Sequence, residues 1–72
     1  MELIHDSVLR FMRSNLIGKR VTLLSTSDPY TDLKRGDGGV VDFIDDIGTV
    51  FVKWDNGSRL GLVEGEDLWT YN

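Results

Sequence analysis

The chain has no cysteine, one proline and one histidine among its 72 residues. Without thiols there is neither a disulfide framework nor a thiolate zinc site, so the core must hold without covalent staples, as suits a reducing cytoplasm. No apolar run approaches the ~20 residues that cross a bilayer. The start, MELIHDSVLRF, is acidic and then amphipathic, whereas a signal peptide is basic and then apolar. Neither a membrane span nor a signal peptide is expected, and no internal repeat or low-complexity tract is present. What the chain does have is a 40% hydrophobic fraction with three Phe, two Trp and two Tyr. That is too apolar for a disordered chain, and so short a chain closes only one small core. One domain is expected.

The formal charge of −4 is unevenly spread. Up to Ser27 the bases Arg10, Arg13, Lys19 and Arg20 face only Glu2 and Asp6, a balance of +2. From Asp28 onward ten acids face only Lys34, Arg35, Lys53 and Arg59, a balance of −6. The two parts should meet different neighbours.

Periodicity also divides the chain. From about Leu3 to Leu16, the residues Ile4, Val8, Phe11 and Met12 recur on one helical face, with Asn15 as the polar exception. This predicts an amphipathic helix within residues 1–17, stopped at Gly18, with Arg10 and Arg13 suited to its negative end. Such a helix is marginal alone and should dock on the rest of the chain or on a partner. After Gly18 the period becomes two. Lys19–Ser25 places Val21 and Leu23 on one face, and Gly39–Ile44 places Val41 and Phe43. Thr49–Trp54 turns Val50, Val52 and Trp54 inward and Phe51 outward, and Ser58–Val63 turns Leu60 and Leu62 inward. Asp55-Asn56-Gly57 supplies residues that tolerate the positive φ of a tight hairpin. Asp45–Gly48 reads as a second turn, and Trp69–Tyr71 as a short last strand after a turn at Gly65-Glu66-Asp67. Thr26–Gly38 lacks alternation and holds the proline, so it reads as a long excursion with Leu33 tucked beneath it. The expected fold is mainly β: a small, partly open, five-stranded SH3-like barrel over residues 18–72, preceded by one α-helix.

The runs Asp28-Pro29-Tyr30-Thr31, Gly36-Asp37-Gly38-Gly39-Val40-Val41, Val52-Lys53-Trp54-Asp55-Asn56-Gly57-Ser58, Leu60-Gly61-Leu62 and Gly65-Glu66-Asp67 together form a pattern. From about Gly18 to Leu68, this pattern resembles a family of small phage and bacterial proteins, a domain of unknown function with an SH3-like barrel. A looser likeness extends to KOW-type and Tudor-like barrels. The helix lies outside the resemblance, which implies a fold and brings no activity, cofactor or binding residues with it.

Catalysis is not expected. The only histidine, His5, lies near the start of the helix and reads as a solvated helix residue, and there is no cysteine nucleophile. Asp42, Asp45 and Asp46 are close in sequence, but turns collect aspartate for backbone hydrogen bonding, and the spacing of a calcium loop is absent. No metal or cofactor is expected.

Two binding readings remain. In the first, a non-catalytic module grips a protein partner through Tyr30, Phe51, Trp69 and Tyr71, aromatics of the kind that dominate interfaces. Ordinary packing at the rim is the alternative for these four, whereas Trp54 continues an inward alternation and belongs to the core. The likeness to SH3-like barrels implies a docking groove between the first loop and the last turns, which here would be ringed by Asp28, Asp32, Glu66 and Asp67 and would favour a partner with a basic surface. An outward Phe51, with Val40 and Ile44 beside it, could instead receive the helix. In the second reading Arg10, Arg13, Lys19 and Arg20 form a nucleic-acid contact, working against the long-range field of an acidic chain. A variant of the first reading uses the acidity itself to occupy the nucleic-acid site of a host protein.

Overall fold

Where the period is two, the chain forms strands, and one helix precedes them. The computed structural model describes residues 5–72. It contains α1 (Asp6–Leu16), β1 (Arg20–Ser25), β2 (Gly38–Ile44), β3 (Val50–Trp54), β4 (Gly61–Leu62) and β5 (Leu68–Tyr71). The strands form one antiparallel sheet in the order β4-β3-β2-β1-β5. The first four strands are a meander, and β5 returns to the free side of β1. The expected barrel is not closed, because β4 and β5 remain two separate edges.

The core lies on one face of this sheet. Val21, Leu23 and Leu62 have no exposed surface, and Val41, Ile44, Val50, Val52 and Trp54 are buried with them. The burial of both β4 and β1 side chains shows that the sheet folds over a single apolar cluster. Trp54 belongs to this core and donates its indole N–H to Leu60 O at 2.9 Å, so the buried ring carries no unpaired donor. Leu33 closes the cluster beneath the Thr26–Gly38 excursion. That excursion is tied back at its base, where Gly36 donates to Leu23 O and Leu23 donates to Asp37 O, both at 2.8 Å.

Among the described residues, the stripe by which the helix docks shares only Met12 with the one its sequence suggested. Leu9 is buried, with Met12 and Leu16 packed against the core, while Val8 and Phe11 are exposed. Both stripes are apolar at helical spacing. The one that docks on β2 lacks the polar interruption of Asn15, whose amide bonds Phe11 O on the solvent side at 2.7 Å. It also lets Arg13 reach the sheet, where the guanidinium donates twice to Ile44 O, at 3.1 and 2.8 Å. The helix begins at Asp6 behind a cap formed by His5, whose Nδ1 accepts the Ser7 N–H at 3.1 Å. His5 is therefore a capping residue just outside the helix, and the expected turns at Leu3 and Ile4 lie outside the described residues.

A register shift in β2 changes which side chains face the core. Val41 pairs with Val52, but Phe43 then pairs with Phe51 and Ile44 with Val50. The extra residue of this β-bulge breaks the alternation. Ile44 turns inward and Phe43, expected inside, turns out. Phe51 accordingly stacks on Phe43, with ring centroids 4.5 Å apart, and does not receive the helix. Ile44 meets the core, so Val40, Ile44 and Phe51 do not form one docking face.

Two glycines are dictated by geometry. At Gly39, a Cβ would lie 2.6 Å from Lys53 O and 2.9 Å from Trp54 Cα, so the close passage of β2 against β3 admits no side chain. Gly57 has φ of +87° and donates to Trp54 O at 2.9 Å, closing the turn after β3. Asn56 does not share the positive φ, and β4 pairs with β3 only from Phe51 and Gly61 outward, so the expected tight hairpin is a wider loop.

Candidate functional site

The unclosed side of the sheet leaves a groove. Val21 pairs with Tyr71 and Leu23 with Trp69, and directly opposed residues of an antiparallel pair share a face. Trp69 and Tyr71 therefore stand on the core face of β5, at the margin where no further strand of the described residues covers them. Their rings meet edge to face, with centroids 6.4 Å apart. Met12 and Leu16 of the helix, Ile47 in the β2–β3 turn, and Val63 and Leu68 beside β5 complete an apolar lining. The groove has a volume of about 710 Å3, and Glu64 and Glu66 bring carboxylates to it. Leu68, Ile47 and Tyr71 are all substantially exposed, so this apolar surface meets solvent.

The turn behind the groove is held by one buried acid. Asp67 is 6% exposed, and its Oδ1 accepts from Thr26 Oγ1 at 2.8 Å and Ser27 N at 3.1 Å. Its Oδ2 accepts from Val63 N at 2.8 Å. With both oxygens used internally, Asp67 joins the end of β1 to the turn before β5, and its carboxylate is not at the disposal of a partner. This corrects its expected place on a rim.

The other expected contact residues are dispersed. Asp28 accepts the Tyr30 N–H at 2.9 Å in a local turn, which leaves the Tyr30 ring 94% exposed at the tip of the excursion. Asp32 is exposed on the same excursion, and neither it nor Asp28 or Tyr30 lines the groove. Phe51 lies on the opposite face of the sheet. A Cβ at Gly61 would lie 2.9 Å from its ring, which therefore covers that bare stretch of β4 as well as stacking on Phe43. The structure thus assembles Trp69, Tyr71 and Glu66 and separates Tyr30, Phe51, Asp28 and Asp32 from them. Met12, Leu16, Ile47 and Glu64 were not anticipated. Only the helix stripe Leu9–Met12–Leu16 could have signalled the first two.

Of the four candidate cations for nucleic acid, two have internal partners. Arg13 pairs with Asp46 at 3.1 Å in addition to holding Ile44 O. The Arg20 guanidinium crosses β2 at Gly38 and meets both oxygens of Asp55, at 2.6 and 3.4 Å. This hydrogen bond, and secondarily the charge of Asp55, raises the Arg20 pKa above its ordinary value. Arg10 and Lys19 are exposed and make no ion pair among the described residues.

The three clustered aspartates also have local uses. Asp45 Oδ1 accepts from Ile47 N at 3.1 Å and Thr49 N at 2.8 Å, fixing the β2–β3 turn. Asp42 faces Lys53 at 3.8 Å, and Asp46 holds Arg13. Among the described residues no group of three or more acids and histidines is placed to hold a metal ion, and no helix is long and apolar enough to cross a membrane. The nitrogen of His5 that caps the helix also lies 2.7 Å from Ser7 Oγ, a contact within a single helix turn.

Neither a curated protein nor a solved structure matches the chain. One family does, and its match runs over residues 5–71, so it takes in the helix as well as the five strands. The helix, expected to lie outside the resemblance, is thus part of the shared unit, in keeping with its docking on β2. The chain belongs to the family described as Domain of unknown function (DUF4314).

Proposed function

We propose that the protein is a non-catalytic interaction module whose groove between α1 and β5 receives an apolar side chain of a protein partner, flanked there by basic residues. The observation that carries this reading is the juxtaposition of Trp69 and Tyr71 with Met12, Leu16 and Ile47 beside Glu64 and Glu66. Aromatic and aliphatic surface supplies the gain from desolvation, and carboxylates at its margin select the charge of what approaches. Trp69 adds a second indication. Its indole Nε1 is buried with no hydrogen-bond partner among the described residues, a defect of roughly 1–3 kcal/mol that a phenylalanine would avoid. A residue kept at such a cost is one a binding surface would use. The strand order, the long first excursion and the turn at Gly57 support an SH3-like description of the open sheet. A phage or bacterial origin rests on the sequence resemblance alone, and a cytoplasmic setting on the lack of cysteine.

Nucleic-acid binding has less support, since Arg13 and Arg20 are neutralised by Asp46 and Asp55 and the groove itself is acidic. Selection of random nine-residue peptides displayed against the protein tests the reading. Enriched peptides should carry a large apolar residue next to lysine or arginine, and the double variant E64K/E66K should lose them. Enrichment of acidic peptides, or a selection indifferent to that charge reversal, would overturn it.

A further inference from the structure

The two edges of the sheet differ in what their backbones offer. Asn72 donates to Arg20 O at 2.9 Å, and the β1–β5 register runs on through Val21 with Tyr71, Thr22 with Thr70 and Leu23 with Trp69. In an antiparallel ladder, hydrogen-bonded and non-hydrogen-bonded pairs alternate. Residues 70 and 72 therefore direct their N–H and C=O groups to β1. Those of Trp69 and Tyr71 point the other way, out of the sheet's open edge. The same two residues send their side chains into the groove, so one strand presents both a row of amides unpaired among the described residues and an aromatic wall.

We infer that the partner docks as an added strand along β5, pairing with the backbone of Trp69 and Tyr71 while its alternate side chains enter the groove. This rests on the reading of the groove as a protein-binding site and specifies how the partner is held. Edge strands are commonly protected by lysine, proline or a very short length. The run Leu68-Trp69-Thr70-Tyr71 has neither charge nor proline, whereas β4 has only two residues. Charge decides between the occupants. A second copy would bring another Glu64 and Glu66, and another chain of net charge −4, to the same edge. A strand of alternating apolar residues with a lysine or arginine near the start of β5 would meet those carboxylates favourably.

The probe is a seven-residue peptide with valine, phenylalanine and valine at its second, fourth and sixth positions, threonine between them and lysine at both ends. Its binding to the intact protein is followed by amide hydrogen exchange read by NMR. The inference expects slowed exchange at the Trp69 and Tyr71 amides, at least about tenfold weaker binding when the lysines are replaced by glutamate, and a similar loss when the backbone nitrogens of the second and fourth residues, or of the third and fifth, are methylated. Only the register that faces β5 should be sensitive to methylation. On the protein side, Y71A removes the ring and keeps the amide, whereas Y71P removes both and is tolerated at a free edge. Y71P should bind more weakly than Y71A. Binding that shifts Met12, Leu16 and Ile47 but ignores methylation and proline would overturn strand addition and leave the groove reading standing. Failure of this peptide to bind, with basic peptides still selected by the wild-type protein and not by E64K/E66K, would likewise sink the strand alone. A sedimentation measurement showing dimers that Y71P dissolves would assign the edge to a second copy and overturn the inference.

Discussion

The sheet ends in two ways, and the contrast between β4 and β5 separates what holds this protein together from what it offers to others. At the β4 end, Leu62 has no exposed surface, two residues suffice for pairing, and the Phe51 ring lies over Gly61. At the β5 end, Leu68 is 63% exposed, Trp69 is only partly covered, and four residues run along an open groove. Both edges are apolar, so hydrophobicity alone does not distinguish scaffold from site. What distinguishes them is whether the chain supplies its own cover.

The largest expected effect tests this contrast directly. Truncation of a fully buried leucine removes both transfer energy and packing, so Leu62→Ala should lower unfolding stability by about 2–5 kcal/mol. Leu68→Ala, on the exposed edge, should change it by less than about 0.5 kcal/mol. Urea denaturation of the two variants reads the difference. Equal losses would mean that β5 is as much a part of the core as β4, and the division of labour would fall.

Next in size is the joint behind the groove. Asp67→Asn keeps the shape but faces at least one of three donors, the Thr26 hydroxyl or the Ser27 or Val63 N–H, with an amide that donates. A loss of about 2–3 kcal/mol is expected, because a buried donor is left without an acceptor. The same denaturation curves measure it. Gly57→Val should follow, at about 1–3 kcal/mol, because a β-branched residue is strained at φ of +87°. An unchanged midpoint would show that the turn after β3 relaxes to another conformation.

These variants also mark how far the sequence could be read. Val21, Leu23, Val50, Val52 and Leu62 were legible because a sheet buried on one face imposes a period of two on its residues. Phe43 and Ile44 were not. The bulge after Val41 adds one residue and inverts the pattern, and nothing in GVVDFI marks where it falls. The helix failed for a related reason, since two apolar stripes share it and only tertiary packing chooses between them. At the site, Trp69, Tyr71 and Glu66 were legible as aromatic and acidic residues near the last strand. Met12 and Ile47 were not, because a groove is made by the angle at which α1 lies against the sheet. Asp67 looked like a turn residue on a rim, and its burial depends on donors some forty positions away in the chain, at Thr26 and Ser27.

Charge reversal sharpens the comparison without touching the core. Glu64 and Glu66 are both exposed, and E64K/E66K should leave stability within about 0.5 kcal/mol of the wild type. It should nevertheless weaken a lysine-bearing peptide about tenfold and should do so less at high salt. Fluorescence titration of the Trp69 edge at two ionic strengths checks both. Equal binding by wild type and variant would mean that the apolar lining alone recognises the partner.

The smallest expected effect concerns a large aromatic that neither edge claims, Tyr30. The Tyr30 ring is 94% exposed, and the local turn that carries it is made by the Asp28 carboxylate and the Tyr30 N–H, not by the ring. Tyr30→Ala keeps that N–H, so unfolding stability should stay within about 0.5 kcal/mol of the wild type. Peptide binding at β5 should also be unchanged, since Tyr30 does not line the groove. Trp69→Ala is the opposite case, because the ring that lines the groove also packs on the core. It should therefore weaken binding and stability together, whereas Y71A should weaken binding with little effect on stability. Loss of peptide binding in Tyr30→Ala would show that the excursion after β1 folds back over a bound strand, and the open edge of β5 would then be only half of the recognition surface.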